Sequence, residues 1–145
     1  MPTTYMKLPY EDRVLRPDAL RPLRLSSGIV GFTLDVRLNY YRGLPLSAVE
    51  ALELSADGVR VPDYLVLVGL REKIFALSQV RLAFTEHWPV KGTLRLSVYN
   101  GGLDPGSHQV DLTLHLRNVS MQFAPGVWGM IDGSASRNLV LQEAA

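Results

Sequence analysis

The residues best suited to chemistry in this sequence are its three histidines, because imidazole binds metals and transfers protons near neutral pH. His87, His108 and His115 lie far apart along the chain. They form neither the HxH nor the HExxH spacing that brings two imidazoles to one metal ion. We therefore expect no metal site in this chain. His115 is expected to be a solvated strand residue, and His108 to cap a turn.

Two carboxylates, Glu50 and Glu53, could suggest the acid and base of a glycoside hydrolase. Their odd spacing at the start of a strand-like segment should direct them to opposite faces of that strand. The sequence contains no GxSxG, Walker or GxGxxG motif, and no cysteine. Acyl transfer, nucleotide hydrolysis, dinucleotide binding and thiolate chemistry therefore have no support. We expect no catalytic residues in this chain.

The elements that carry these residues are predicted to be strands. Apolar and polar residues alternate over residues 30–38, 94–99 and 110–117, as in strands with one buried and one wet face. Asp57-Gly58 is a hairpin turn signal, and the three glycines and one proline of residues 100–108 predict a longer hairpin loop. The sequence thus predicts an all-β fold, an antiparallel β-sandwich or barrel-like sandwich. We expect about seven to eight strands and at most one short helical turn.

The composition is typical of one globular domain, with 47% hydrophobic and 20% charged residues among 145. We expect a single domain over residues 1–145, with an N-terminal arm at 1–27 and a Gly-rich loop at 124–136. The net charge of +1 argues against a nucleic-acid partner. The N-terminus lacks the apolar core of a signal peptide, and no apolar run is long enough to span a membrane. The absence of cysteine fits a reducing compartment, so the expected location is the cytoplasm.

Two segments have the composition of a protein interface. One carries adjacent tyrosines, an arginine and branched aliphatic residues where the backbone must turn, and the other places a tryptophan among glycines. Aromatic and arginine side chains are enriched at interface centres, although a flexible surface loop is the competing interpretation. The predicted partner-interface residues are Tyr40, Tyr41, Arg42, Gly43, Leu44, Pro45, Leu46 and Trp128.

Several landmarks make the sequence resemble the β subunits of the bacterial C-glycoside deglycosidases. They are the "YRGLP" stretch at 41–45, the Asp57-Gly58 turn, Trp88, and "GGL" at 101–103 with Pro105-Gly106. The likeness extends from about residue 28 to residue 117, which is most of the chain.

The resemblance implies a complex of two different subunits, of which only one is catalytic. The large α subunit of this family is similar to TIM-barrel sugar-phosphate isomerases, binds a divalent metal, usually manganese, and carries the acid and base. Its substrate is a flavonoid or anthraquinone C-glucoside already oxidised at C3, and the C–C bond breaks in a lyase step. The present chain would be the non-catalytic, small β-sandwich subunit of the hetero-oligomer. Its predicted interface residues would then contact the α subunit.

Two other interpretations remain open from the sequence. The chain could be a stand-alone carbohydrate- or ligand-binding sandwich that stacks sugars on Tyr41 and Trp128. It could also be a small metal-dependent enzyme that uses its three histidines, which we rank last because their spacing matches no metal motif.

Overall fold

A computed structural model describes residues 5–6, 11–40, 42–125 and 127–142 of the chain. One helical turn, α1 (Glu11–Val14), lies near the N-terminus, and three 3-10 turns span Leu46–Ala48, Asp63–Leu65 and Leu77–Leu82. The strands are β1 (Tyr5–Met6), β2 (Leu20–Leu25), β3 (Gly28–Val36), β4 (Leu44–Pro45), β5 (Val49–Ala56), β6 (Val59–Arg60), β7 (Val66–Leu70), β8 (Lys73–Ala76), β9 (His87–Trp88), β10 (Leu94–Val98), β11 (Ser107–Ala124), β12 (Val127–Asp132) and β13 (Ala135–Val140).

The strands form two main sheets and one short ladder. The first sheet has the order β1-β12-β11-β5-β6, and β13 pairs with the N-terminal half of β11. The second sheet has the order β2-β3-β10-β7-β8, and β4 pairs with β9 on its own. Every pair is antiparallel except β1 with β12. The predicted all-β sandwich is therefore confirmed.

The core lies between the two sheets because the predicted alternation holds along the central strands. Leu94, Leu96 and Val98 of β10 are fully buried, whereas Arg95 between them is exposed. The same alternation buries Phe32, Leu34 and Val36 of β3 and Val110, Leu112, Leu114 and Leu116 of β11, and all of these join one hydrophobic cluster. Burial of each such side chain contributes about 1.5–3 kcal/mol, so the alternating strands supply most of the driving force for folding.

The predicted Asp57-Gly58 turn is confirmed. β5 and β6 pair on either side of it, and its two residues have φ of 52° and 80°. Positive φ at both central positions matches the right-handed twist of the flanking strands. β6 is short, however, and pairs only with Ser55 and Ala56. The 3-10 turn Leu77–Leu82 therefore lies beside the part of that β5 edge with which β6 does not pair.

Three details of the sequence prediction are wrong. Residues 100–108 are not a hairpin loop, because β10 and β11 belong to different sheets and the loop crosses between them. Residues 124–136 are not one long loop, because β12 occupies Val127–Asp132. Residues 1–27 are not simply an arm, because Leu20–Leu25 forms β2 and Val14 and Leu15 are fully buried. Turn residues mark where a chain bends, but they do not say which sheet receives the next strand.

The structure also contains more strands and helical turns than the sequence predicts. In the described ranges, four of the thirteen strands have only two residues, which leaves nine longer strands. The same ranges contain four helical turns instead of one, because short 3-10 turns connect strands at positions where the sequence shows no helical periodicity. Among the described residues, no helix has the length and apolar character needed to cross a membrane.

Candidate functional site

The predicted interface loop divides into a buried part and an accessible part. Tyr40, Leu44 and Leu46 are 2%, 1% and 0% exposed, so these side chains belong to the core of this chain. Arg42 is exposed, whereas Gly43 and Pro45 are half-buried. Tyr41 lies outside the described residues. The burial of Tyr40, Leu44 and Leu46 argues against their direct contact with a partner. The accessible candidates for that contact are Arg42, Gly43 and Pro45.

The structure brings the two predicted interface segments together. The Tyr40 hydroxyl accepts a hydrogen bond from Asn118 Nδ2 at 3.1 Å, and Asn118 pairs with Gly129 across β11 and β12. Trp128, whose backbone lies opposite Gln122, is the residue next to Gly129. Asn39 Nδ2 also donates to the carbonyl oxygen of Asp132 at 2.9 Å. The loop that follows β3 is thus anchored to β11 by a buried hydrogen bond and to β12 by a partly buried one.

Gly43 is required where it stands because the loop packs tightly on β9. A Cβ atom at this position would lie 2.6 Å from His87 Nε2 and 2.7 Å from the carbonyl oxygen of Trp88. The neighbouring Leu44 pairs with Trp88, and Pro45 pairs with His87. The bulky loop is therefore one strand of a short ladder whose other strand is β9.

This ladder continues into the segment that precedes β9. The Leu46 backbone N–H donates to the carbonyl oxygen of Glu86 at 2.8 Å. Trp88 is fully buried, and its Nε1 donates to the carbonyl oxygen of Gly92 at 2.9 Å, as expected for a core tryptophan rather than a substrate platform. Residues 84–88 therefore lie beside the accessible part of the interface loop.

An ionic cluster lies next to this ladder, on the outer face of the first sheet. Arg117 Nη1 donates to Glu50 Oε1 at 2.8 Å, and Arg81 Nη2 lies 3.4 Å from Glu50 Oε2. Glu53 faces Arg60 instead, at 3.4 Å. Both carboxylate oxygens of Glu50 are thus in contact with arginine.

The prediction that Glu50 and Glu53 point to opposite faces is wrong. His115 pairs with Ala51 but Leu116 pairs with Val49, so Glu50 is the extra residue of a β-bulge. The bulge turns Glu50 to the outer face, where it reaches Arg117, while Glu53 lies opposite Thr113 on the same face. Each carboxylate is nevertheless engaged by arginine, which is not the arrangement of a glycosidase acid and base.

A groove runs along this face between β5 and the 3-10 turn Leu77–Leu82. Its first part encloses about 270 Å³ between residues 49–53 and 77–81, with Asp63 at its edge. Its second part, of about 350 Å³, is lined by Ser47, Glu50, Ser78, Arg81, Leu82, Phe84 and Arg117. Leu82 and Phe84 are 70% and 68% exposed. The groove therefore combines large accessible apolar side chains with the ionic cluster.

The three histidines do not come together in one site. His108 is buried, with Nδ1 at 2.6 Å from Asp57 Oδ2 and Nε2 at 2.6 Å from the carbonyl oxygen of Asp104. The hydrogen bond to Asp57, followed by that to Asp104, raises the pKa of His108. His108 thus ties the β5–β6 turn to the loop before β11, and the predicted turn-capping role is confirmed. His115 lies on the outer face as predicted, but its side chain is only 30% exposed and its Nε2 lies 3.9 Å from Asp132 Oδ1, so it is not a fully solvated residue. In the described part of the chain, no three His, Asp or Glu side chains are grouped so as to hold a metal ion.

Comparison with known proteins agrees with the resemblance seen in the sequence. The family model for the C-glycoside deglycosidase beta subunit matches residues 10–119. The chain belongs to this family. It is 30% identical over 87 residues to the 3'-dehydrocarminate deglycosidase beta subunit of a Microbacterium species, covering 60% of this chain and 66% of that protein. It is 28% identical over 102 residues to a C-glycoside deglycosidase beta subunit of Eubacterium cellulosolvens, covering 69% of each protein. The chain thus spans about two thirds of the length of each relative.

Sequence reasoning missed the groove. Its lining comes from four separate stretches of the chain, residues 47–53, 63, 77–84 and 117, and the sequence contains only a weak signal for it. Leu82 and Phe84 are apolar residues in a segment that fits neither a helix nor a strand, and the bulge at Glu50 has no local signature. Leu82, Phe84 and Glu50 come together only because β5 and the 3-10 turn Leu77–Leu82 lie side by side in the fold.

Proposed function

We propose that this C-glycoside deglycosidase beta subunit is a non-catalytic subunit that stabilises a catalytic α subunit and shapes the entrance of its active site. The observation that carries the proposal is the family match over residues 10–119. A subunit named β implies a complex with another subunit, and both relatives carry that name. The similarity of the α subunit to TIM-barrel isomerases rests on the family resemblance.

The reaction that we propose for the complex is an elimination from a 3-oxo-C-glucoside of a flavonoid or anthraquinone. The ketone at C3 acidifies the C2 proton, which a base of the α subunit removes. The electron pair then forms the C1–C2 double bond as the C1–aglycone bond breaks, and the aglycone carbon takes up a proton. Among the described residues of this chain, no three His, Asp or Glu side chains are grouped so that they could hold a metal ion. In this proposal the divalent metal, expected to be manganese, is held by the α subunit and stabilises negative charge on the ketone oxygen.

The side chains of this subunit support a structural role. Glu50 is engaged by Arg117 and Arg81, and Glu86 Oε2 accepts a hydrogen bond from Lys73 Nζ at 3.0 Å. His108 is held between two acceptors. A general base must reach the proton that it removes, and these groups are instead occupied in contacts that join strands and loops of this chain.

The proposed contact with the α subunit includes Arg42, Gly43 and Pro45 of the interface loop. Arg42 is exposed and can make paired hydrogen bonds to a carboxylate. The β4–β9 ladder holds the backbone of Leu44 and Pro45 in place, directly after Gly43, so the loop would reach the partner with little loss of conformational entropy on binding.

Co-expression with the α chain of a C-glycoside deglycosidase tests this proposal. We expect the two chains to elute together in size-exclusion chromatography, with a mass measured by light scattering that exceeds either chain alone. Separate elution of two folded chains would contradict the proposal. Calorimetric titration of the isolated β chain with glucosides tests the alternative function as a sugar-binding module. Saturable sugar binding by the isolated chain would favour that alternative.

A further inference from the structure

The groove between β5 and the 3-10 turn Leu77–Leu82 has an unusual concentration of accessible apolar side chains at one end. Leu82 and Phe84 are each more than two thirds exposed, and both line the wider part of the groove. Apolar residues that are grouped at a concave, polar-rimmed surface commonly mark a contact with another protein. Single exposed apolar residues, such as Phe123 at 60%, carry no such meaning.

The charge beside these residues favours an acidic occupant. Arg81 is 68% exposed and lies 3.4 Å from Glu50, whose other oxygen is held by Arg117. Arg81 is therefore the exposed cation at this end of the groove, whereas Glu53 and Asp63 at the other end are each paired with Arg60. A carboxylate supplied from outside could approach Arg81.

The groove is also continuous with the proposed contact loop. Ser47 lines the groove directly after Leu46, whose N–H is bonded to the carbonyl oxygen of Glu86. Phe84 lies two residues before Glu86, and His87 pairs with Pro45. The segment that contains Phe84 is thus joined to the interface loop by the β4–β9 ladder and the hydrogen bond beside it.

We propose that the α subunit docks in this groove with an apolar side chain against Leu82 and Phe84 and a carboxylate at Arg81. The inference rests on the proposed function, because it adds a second contact area to the same subunit interface. The occupant is the α subunit, and a second copy of the β chain is the competing occupant.

The first test measures the affinity of the purified α subunit for β variants by biolayer interferometry. Phe84→Ala should weaken binding about thirtyfold, the value that corresponds to a loss of about 2 kcal/mol at the centre of an interface. Leu25→Ala is the control, because it removes a side chain that is 54% exposed on β2 in the other sheet. The control should bind like the wild type. Circular dichroism should show that both variants remain folded, since both side chains lie at the surface.

The second test reverses one charge. Arg81→Glu should weaken binding about tenfold or more at low ionic strength, and the loss should shrink as salt is added. Arg24→Glu, on the exposed part of β2 in the other sheet, is the control and should change the affinity little.

The outcomes separate this inference from the proposed function. If wild-type β does not bind α, the proposed function fails. If wild-type β binds α and neither Phe84→Ala nor Arg81→Glu weakens the complex more than its control, the groove is not the docking surface. If β alone forms a dimer that Phe84→Ala dissociates, the groove binds a second copy and the inference is overturned.

Discussion

Replacement of Tyr40 by phenylalanine separates a core role from an interface role for the first residue of the predicted contact loop. The ring is only 2% exposed, and phenylalanine keeps its shape. The substitution removes the hydroxyl that accepts from Asn118 Nδ2 at 3.1 Å. A buried amide is then left without that acceptor. Such a loss costs about 1–3 kcal/mol, so we expect Tyr40→Phe to lower the free energy of unfolding by that amount.

Tyr40→Ala should be more damaging, because it also leaves a cavity in the core. Truncation of a buried aromatic ring costs about 3–5 kcal/mol. The assay is urea unfolding followed by circular dichroism, with the midpoint and slope compared across the variants. An unchanged slope would show that the variants differ from the wild type in stability and not in the extent of unfolding.

A double-mutant cycle assigns the effect to one hydrogen bond. Tyr40→Phe, Asn118→Ala and the double variant should show a coupling energy of about 0.5–1.5 kcal/mol. The affinity of the folded Tyr40→Phe variant for the α subunit should equal that of the wild type. A variant with wild-type stability but a tenfold weaker complex would refute the assignment of Tyr40 to the core.

Two further predictions concern pH and packing. Because the pKa of His108 is raised, its contribution to stability should be complete below the unfolded pKa of about 6.5 and should fade as pH rises through the higher folded value. Unfolding of wild type and His108→Gln at several pH values checks this, and an equal pH dependence in both would contradict it. Gly43→Ala should destabilise the chain by about 1–3 kcal/mol. Gly69→Ala should not, because an added Cβ there meets nothing closer than 3.6 Å, and equal melting temperatures for the two variants would refute the packing argument.

The local features of the fold could be predicted because they depend on neighbouring residues. Alternation in β10 and β11 reports which side of a strand is buried, and Asp57-Gly58 has a conformation that few other residue pairs adopt. Strand partners depend on contacts between distant segments. The crossing of residues 100–108 between the sheets was therefore missed.

The interface residues were harder to predict for a related reason. Tyrosine and leucine are enriched both in protein interfaces and in cores. Composition alone thus could not distinguish Arg42, which is exposed, from Leu44 and Leu46, which are buried. The position of Glu50 depends on a β-bulge, which adds one residue and changes the face to which a side chain points.

The most direct measurement of the central claim is the rate of deglycosylation of a 3-oxo-C-glucoside at a fixed α concentration. This β subunit is added in increasing amounts, and release of the aglycone is followed by absorbance. We expect no release by β alone, and a rate that rises with β and levels off once the two chains have assembled completely. Full rate by α alone, unchanged on addition of β, would contradict the account.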